Sequence, residues 1–129
     1  MEISTGKKIP CAVFISGRGS NLKSIFNYSK KKSSKIYLKI VISDRHKIKG
    51  IRFAKKNKIT NKVISFKNKK KAEQQILDFL KKNNIQLICL AGFMRILSKN
   101  FIKSFKNKII NIHPSLLPKY KGLNTHERV

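Results

Sequence analysis

Pro10-Cys-Ala-Val-Phe-Ile-Ser-Gly-Arg-Gly-Ser-Asn21 is the stretch on which the fold turns. Pro10 to Ser16 form a continuous apolar run, the pattern of a strand buried on both faces of a parallel sheet. Gly17 and Gly19 then break the run, and from Asn21 to about Lys31 the apolar residues Leu22, Ile25 and Phe26 recur at helical spacing. A buried strand, a glycine turn and an amphipathic helix in succession are the opening of a βαβ unit.

The same alternation continues along the chain. Ile36 to Ser43 reads as a second strand, rich in β-branched residues, and Gly50 to Asn57 as a short helix burying Ile51 and Ala54. A short strand is expected near Val63-Ile64. Lys70 to Asn83 follows as the clearest helix, with Ala72, Ile76, Leu77, Phe79 and Leu80 as its apolar stripe. Gln86 to Ala91 reads as another buried strand, Ser98 as the cap of a helix reaching Phe105, and Ile109 to His113 as the last strand. Five strands alternating with helices predict a doubly wound, mostly parallel α/β sheet of Rossmann-like type with right-handed crossovers. Residues 1–9 read as a loose leader and 10–129 as a single domain.

At 129 residues the chain is large enough to bury about two-thirds of its unfolded surface. No apolar run approaches the ~20 residues of a membrane span, and the N-terminus lacks the apolar core of a signal peptide, so the default expectation is cytoplasmic. Cys11 and Cys89 each sit within an apolar run as small hydrophobes, with no CxxC or His-rich context that would indicate a metal site or disulfide framework. The formal net charge is +26, yet 26 of the 31 basic residues are lysines spread over helix faces and turns. Lys, Ile and Asn have codons made largely of A and T, and base composition accounts for their joint abundance. Arginine, which specific DNA readers use for bidentate base contacts, is scarce. Weak, salt-sensitive, non-specific polyanion binding is the expected consequence.

Three segments carry chemistry. Ser16-Gly17-Arg18-Gly19-Ser20-Asn21, between strand and helix, suits a single phosphate, since glycines admit an anion to the free N–H groups of the helix end. A tight connection with Ser20 as loop or cap residue is the plainer reading. Ala91-Gly92-Phe93-Met94-Arg95-Ile96-Leu97 either walls a flat aromatic ligand or plugs the sheet end. Asn111 and His113, two apart, share one side of a strand that Pro114 ends. The amide can donate to a developing oxyanion and the imidazole can move a proton near neutral pH, a pairing suited to acyl transfer. A capping or surface role for the histidine is the alternative. No adjacent Ser or Cys nucleophile with a matching acid is evident, and His46 and His126 lack partners in the sequence pattern.

VFISGRGSNLKSI, ICLAGFMRILS and IINIHPSLLPKYKGLNTH together resemble the phosphoribosylglycinamide formyltransferase family, within the larger group that uses 10-formyltetrahydrofolate. The similarity runs in order from about Ala12 to Val129. It implies formyl transfer from 10-formyltetrahydrofolate, a co-substrate, to the amine of glycinamide ribonucleotide in de novo purine synthesis, the route to IMP, without a metal. Gly19, Ser20 and Asn21 would hold the ribonucleotide's phosphate. Met94, Arg95, Ile96 and Leu97 would line the pterin pocket. Asn111 would contact the formyl group and steady the oxyanion, with His113 as the catalytic acid. Where the family carries a basic residue, usually Arg, before the long helix to touch the folate, this chain has Lys69.

Family members run to roughly 200 residues, an ordinary single-domain size. The expectation is therefore the N-terminal two-thirds of one formyltransferase domain. The aspartate that orients the family's histidine has no counterpart here, since Asp44 and Asp78 lie on earlier elements. The 129-residue polypeptide is expected to transfer formyl groups feebly or not at all, and normal turnover of both substrates by the purified chain would contradict this. A relative acting on another formyl acceptor and a basic polyanion-binding domain are the alternatives.

Overall fold

Side chains of the first strand point alternately to two separate apolar layers, and this places a sheet in the middle of the molecule. The structure, a computed structural model, describes residues 7–17 and 19–112. Its elements are β1 (Ile9–Ile15), α1 (Ser20–Ser29), β2 (Ile36–Ser43), α2 (Lys49–Lys56), β3 (Thr60–Val63), α3 (Lys69–Lys82), β4 (Leu87–Leu90), α4 (Lys99–Ser104) and β5 (Lys108–Asn111). Cys11, Val13 and Ile15 pack with Leu22 and Ile25 of α1 and Ile51 and Ala54 of α2. Ala12 and Phe14, on the other face, pack with Ala72, Ile76 and Leu80 of α3 and Phe101 of α4. Period-2 strands between period-3.6 helices thus generate two cores, one on each side of the sheet.

All neighbouring strands pair in parallel, in the order β3-β2-β1-β4-β5. The doubly wound fold is as expected. The order steps outward from β1 through β2 to β3, then returns to the other side of β1 for β4 and β5. That reversal leaves a crevice between the carboxyl ends of β1 and β4, the place where open α/β sheets bind ligands.

Local signals fix most boundaries. Asn68 caps α3, its side chain accepting from the Lys71 N–H at 3.1 Å, and Ser98 caps α4, accepting from Phe101 N–H at 3.1 Å. The helices α2 and α3 end in lysine pairs, Lys55–Lys56 and Lys81–Lys82, where cations complement the carbonyl end of the helix. The sheet begins at Ile9, whose N–H donates to Lys35 at 2.8 Å, one residue ahead of the expected Pro10. The strand expected near Val63-Ile64 is centred earlier, because residues 60–63 pair with 40–43 of β2. Cys11 and Cys89 are both free and buried. The hydrogen bond to Cys11 comes first, then burial, in pushing the Cys89 thiol well above its ordinary pKa, so it stays a protonated core group. Among the described residues no helix is long and apolar enough to cross a membrane.

Candidate functional site

The crevice at the switch point is built by two loops. After β1, Gly17 and Gly19 carry the chain into α1. Gly19 has φ +85°, a left-handed conformation that a side chain resists, and it occupies the capping position without a side-chain cap. The first N–H groups of α1 are therefore left for a ligand. After β4, Ala91 and Gly92 turn the chain away, Gly92 with φ +77°. A small cavity of ≈ 150 Å³ joins the two turns, with Gly17, Gly19, Ser20, Asn21, Ala91 and Gly92 around it. Its lining is almost entirely backbone and small polar groups, which suits a compact anion rather than a flat ring.

A larger depression of ≈ 440 Å³ opens off the same turn between α1 and α2, with Lys23, Lys49, Arg52 and Lys56 along it. Four cations beside the glycine turn raise the local concentration of any anionic substrate. Another cavity, ≈ 630 Å³, lies at the opposite, amino edge of the sheet between the end of α3 and α4, away from every candidate residue described.

Ser20 is not a cap, as the plainer sequence reading had it. Gly19 takes that position, and Ser20 is the first helical residue, exposed on the cavity. Met94 and Ile96 are exposed by 75% and 80%, so two apolar side chains of the loop after β4 stand open to solvent. Leu97 is half-buried against the α3–α4 core. Arg95 is drawn inward: its Nε donates to Asp44 Oδ2 at 2.6 Å and its guanidinium lies 5.5 Å from the Phe66 ring centre. Lys69, exposed, opens α3 and so lies at the carboxyl edge of the sheet.

Asn111 ends β5 opposite Leu90 and is exposed, one strand from the Ala91–Gly92 turn. His113 lies outside the described residues, as do Arg18, Ser115 and His126. His46 is exposed. Three groups escaped the sequence reading. The hydroxyl of Ser16, at the end of an apolar run, accepts from Met94 N–H at 2.9 Å. Asp44 and Glu73 are buried beneath the loop after β4. Only Ser16 carried a signal, a polar residue closing a buried strand. Among the described residues no group of His, Cys, Asp and Glu is assembled that could hold a metal ion.

Residues 9–129 match the family model described as formyl transferase. The trifunctional purine biosynthetic protein adenosine-3 of Gallus gallus is 42% identical over 125 residues, 95% of this chain and 12% of that protein. The phosphoribosylglycinamide formyltransferase of Haemophilus influenzae is also 42% identical over 125 residues, 95% of this chain and 58% of that one. Among solved structures, the phosphoribosylglycinamide formyltransferase from Brucella melitensis superposes with a TM-score of 0.79 at 37% identity, covering 95% of this chain and 65% of its own. The chain thus spans less than two thirds of each of these relatives.

Proposed function

The chain belongs to the formyl transferase family, and on that footing we propose that it serves formyl transfer from 10-formyltetrahydrofolate to the amine of glycinamide ribonucleotide. The observation that carries the reading is the cavity joining the glycine turn to the loop after β4 at the switch point of the sheet. It brings a phosphate-sized backbone cradle to the foot of an apolar wall.

Gly19, Ser20 and Asn21 hold the ribonucleotide's phosphate, with Lys23 and Arg52 supplying long-range attraction. Met94, Arg95, Ile96 and Leu97 border the pterin, the exposed side chains of Met94 and Ile96 giving apolar surface and the backbone between them polar edges. Lys69 reaches the folate's acidic tail from the start of α3. With acceptor and donor so placed, the substrate amine attacks the formyl carbon, the new N–C bond forms as the amine gives up a proton to solvent, and the bond from carbon to the folate nitrogen breaks. The Asn111 amide donates to the oxygen that gains charge in between, and His113 passes a proton to the departing nitrogen. No enzyme nucleophile is needed, because the acceptor brings its own. Residues 10–129 act as part of a single domain. The co-substrate is small and the reaction is one of water-soluble metabolites, which agrees with a cytoplasmic setting.

Calorimetry on the purified chain tests the reading. Glycinamide ribonucleotide is expected to bind one to one, to compete with inorganic phosphate and to keep most of its affinity from 50 to 200 mM salt. A basic polyanion surface making several phosphate contacts would instead lose about 10³–10⁵ over that range. Indifference to both glycinamide ribonucleotide and tetrahydrofolate overturns the proposal.

A further inference from the structure

The chain has 31 basic residues and only five acidic ones. Three of those acids, Asp44, Glu73 and Asp78, lie among the described residues, and two of the three are buried. Both hold the same irregular loop, residues 91–98. Asp44, at the carboxyl end of β2, has its side chain 1% exposed and takes the Arg95 Nε at 2.6 Å, against 44% exposure for Arg95 itself. Its second oxygen, Oδ1, is buried without a hydrogen-bond partner among the described residues. Glu73, on α3 and 8% exposed, accepts from Ser98 twice: from the backbone N–H at 2.8 Å and from the hydroxyl at 2.6 Å.

Two further fixings lie just before these. Met94 N–H is held by Ser16 at 2.9 Å, and the Phe93 ring stands edge-on to Phe14 and Phe66 at 5.3 and 5.7 Å. Main-chain or side-chain atoms of Phe93, Met94, Arg95 and Ser98 are therefore tied to β1, to the residues that follow β1 and β2, to Phe66 and to α3, while the side chains of Met94 and Ile96 stay free toward solvent. An irregular loop with no ladder of its own gains one conformation only from such contacts. Burying a carboxylate is unfavourable unless it is paired, so these two acids are retained at a cost in desolvation. That cost is hard to explain by packing, since apolar residues would fill both places at no electrostatic expense.

We infer that Asp44 and Glu73 are positioning residues that set the geometry of the folate-facing loop, one at its middle and one at its end. The inference rests on the proposed function for what the loop faces, but not for how it is held. The loop is a preformed wall rather than a segment ordered by its ligand, and affinity for the pterin depends on that preorganisation.

Asp44→Asn and Glu73→Gln keep side-chain size and remove charge. In each, amide hydrogen exchange at Met94 and Ser98 is expected to speed up by about tenfold or more while the amides of β1 and β2 keep their protection. Tetrahydrofolate is expected to bind about tenfold more weakly, with inorganic phosphate at the glycine turn unaffected. Exchange unchanged in both variants overturns the inference alone. A uniform rise in exchange across the sheet, with both ligands weakened alike, also overturns it, because the acids would then serve general stability. Wild-type chain that binds phosphate but no tetrahydrofolate overturns the folate reading and with it the ligand half of the inference. Ser16→Ala and Ser98→Ala, which remove single hydroxyls from the same network, carry the exchange measurement should the acid variants fail to fold.

Discussion

Phe14→Ala is expected to destabilise the chain by about 3–5 kcal/mol, read as a shift of the urea midpoint at constant slope. Phe14 is wholly buried on β1, the central strand, flanked by Ile42 of β2 and Leu90 of β4 in the pairing. Its ring meets Phe93 edge-on at 5.3 Å, so truncation opens a void under the loop after β4 as well as in the α3–α4 core. Strands on both sides are fixed by the ladder and cannot collapse into that void, which places the cost in the upper part of the range. Against a total stability of about 5–15 kcal/mol for an ordinary domain, a loss of this size raises the unfolded population by about 10²–10⁴-fold. A change below about 1 kcal/mol would mean that this residue is not at the packed centre.

Gly19→Ala is the second substitution with a large expected effect, and Gly17→Ala is its control. At Gly19 the backbone has φ +85°, and an added Cβ would stand 2.7 Å from the Cα of Gly50. Neither the twist nor the contact can relax alone, since the obstacle is the backbone of α2 and not a flexible side chain. Gly50 is itself packed close against the Ile15 side chain and the Gly17 carbonyl, which limits any withdrawal of α2. Left-handed strain of about 1–2 kcal/mol joined to overpacking of about 1–3 kcal/mol predicts a combined loss of at least 2 kcal/mol. Phosphate binding at the turn is expected to disappear in the fraction that still folds. Gly17 has open space where its Cβ would go and no positive φ, so Gly17→Ala is expected to change stability by less than about 0.5 kcal/mol. Equal effects at the two positions would contradict the geometry of the turn.

Much of this was legible from residue order alone. Continuous apolar runs gave β1, β2 and β4 to within a residue or two, because strands buried on both faces have no other way to read. The long helix was clear from its stripe, although Leu77 and Phe79 are only half-buried and Glu73 is buried in their place. That exchange could not be foreseen: Glu73 is covered because Ser98, 25 residues later, descends onto it, and no local period encodes such an approach. The same holds for Asp44, set aside as an acid on an early element and found paired with Arg95 across 51 residues of sequence. β3 is centred a little ahead of the expected Val63-Ile64 because its pairing residues, Thr60 to Val63, are mostly polar and none is buried, while Ile64 just beyond is buried. At the site, the glycine turn and the apolar loop after β4 were legible in the residue order, the loop equally as a ligand wall or as a plug of the sheet end. The last strand, expected over Ile109 to His113, runs Lys108–Asn111 among the described residues, and His113 lies outside them.

One consequence of the sheet's outline concerns copies of the molecule rather than its ligands. Among the described residues the two outermost strands are β3 and β5, each with an unshared row of amide and carbonyl groups and each carrying an exposed lysine, Lys62 and Lys108. Strand-to-strand annealing between two chains would bring those ammonium groups together within a strongly positive field, and that repulsion keeps the borders apart. Lysine on these two described borders is expected to oppose fibrous stacking, most strongly in dilute buffer and less as added ions shorten the reach of the field.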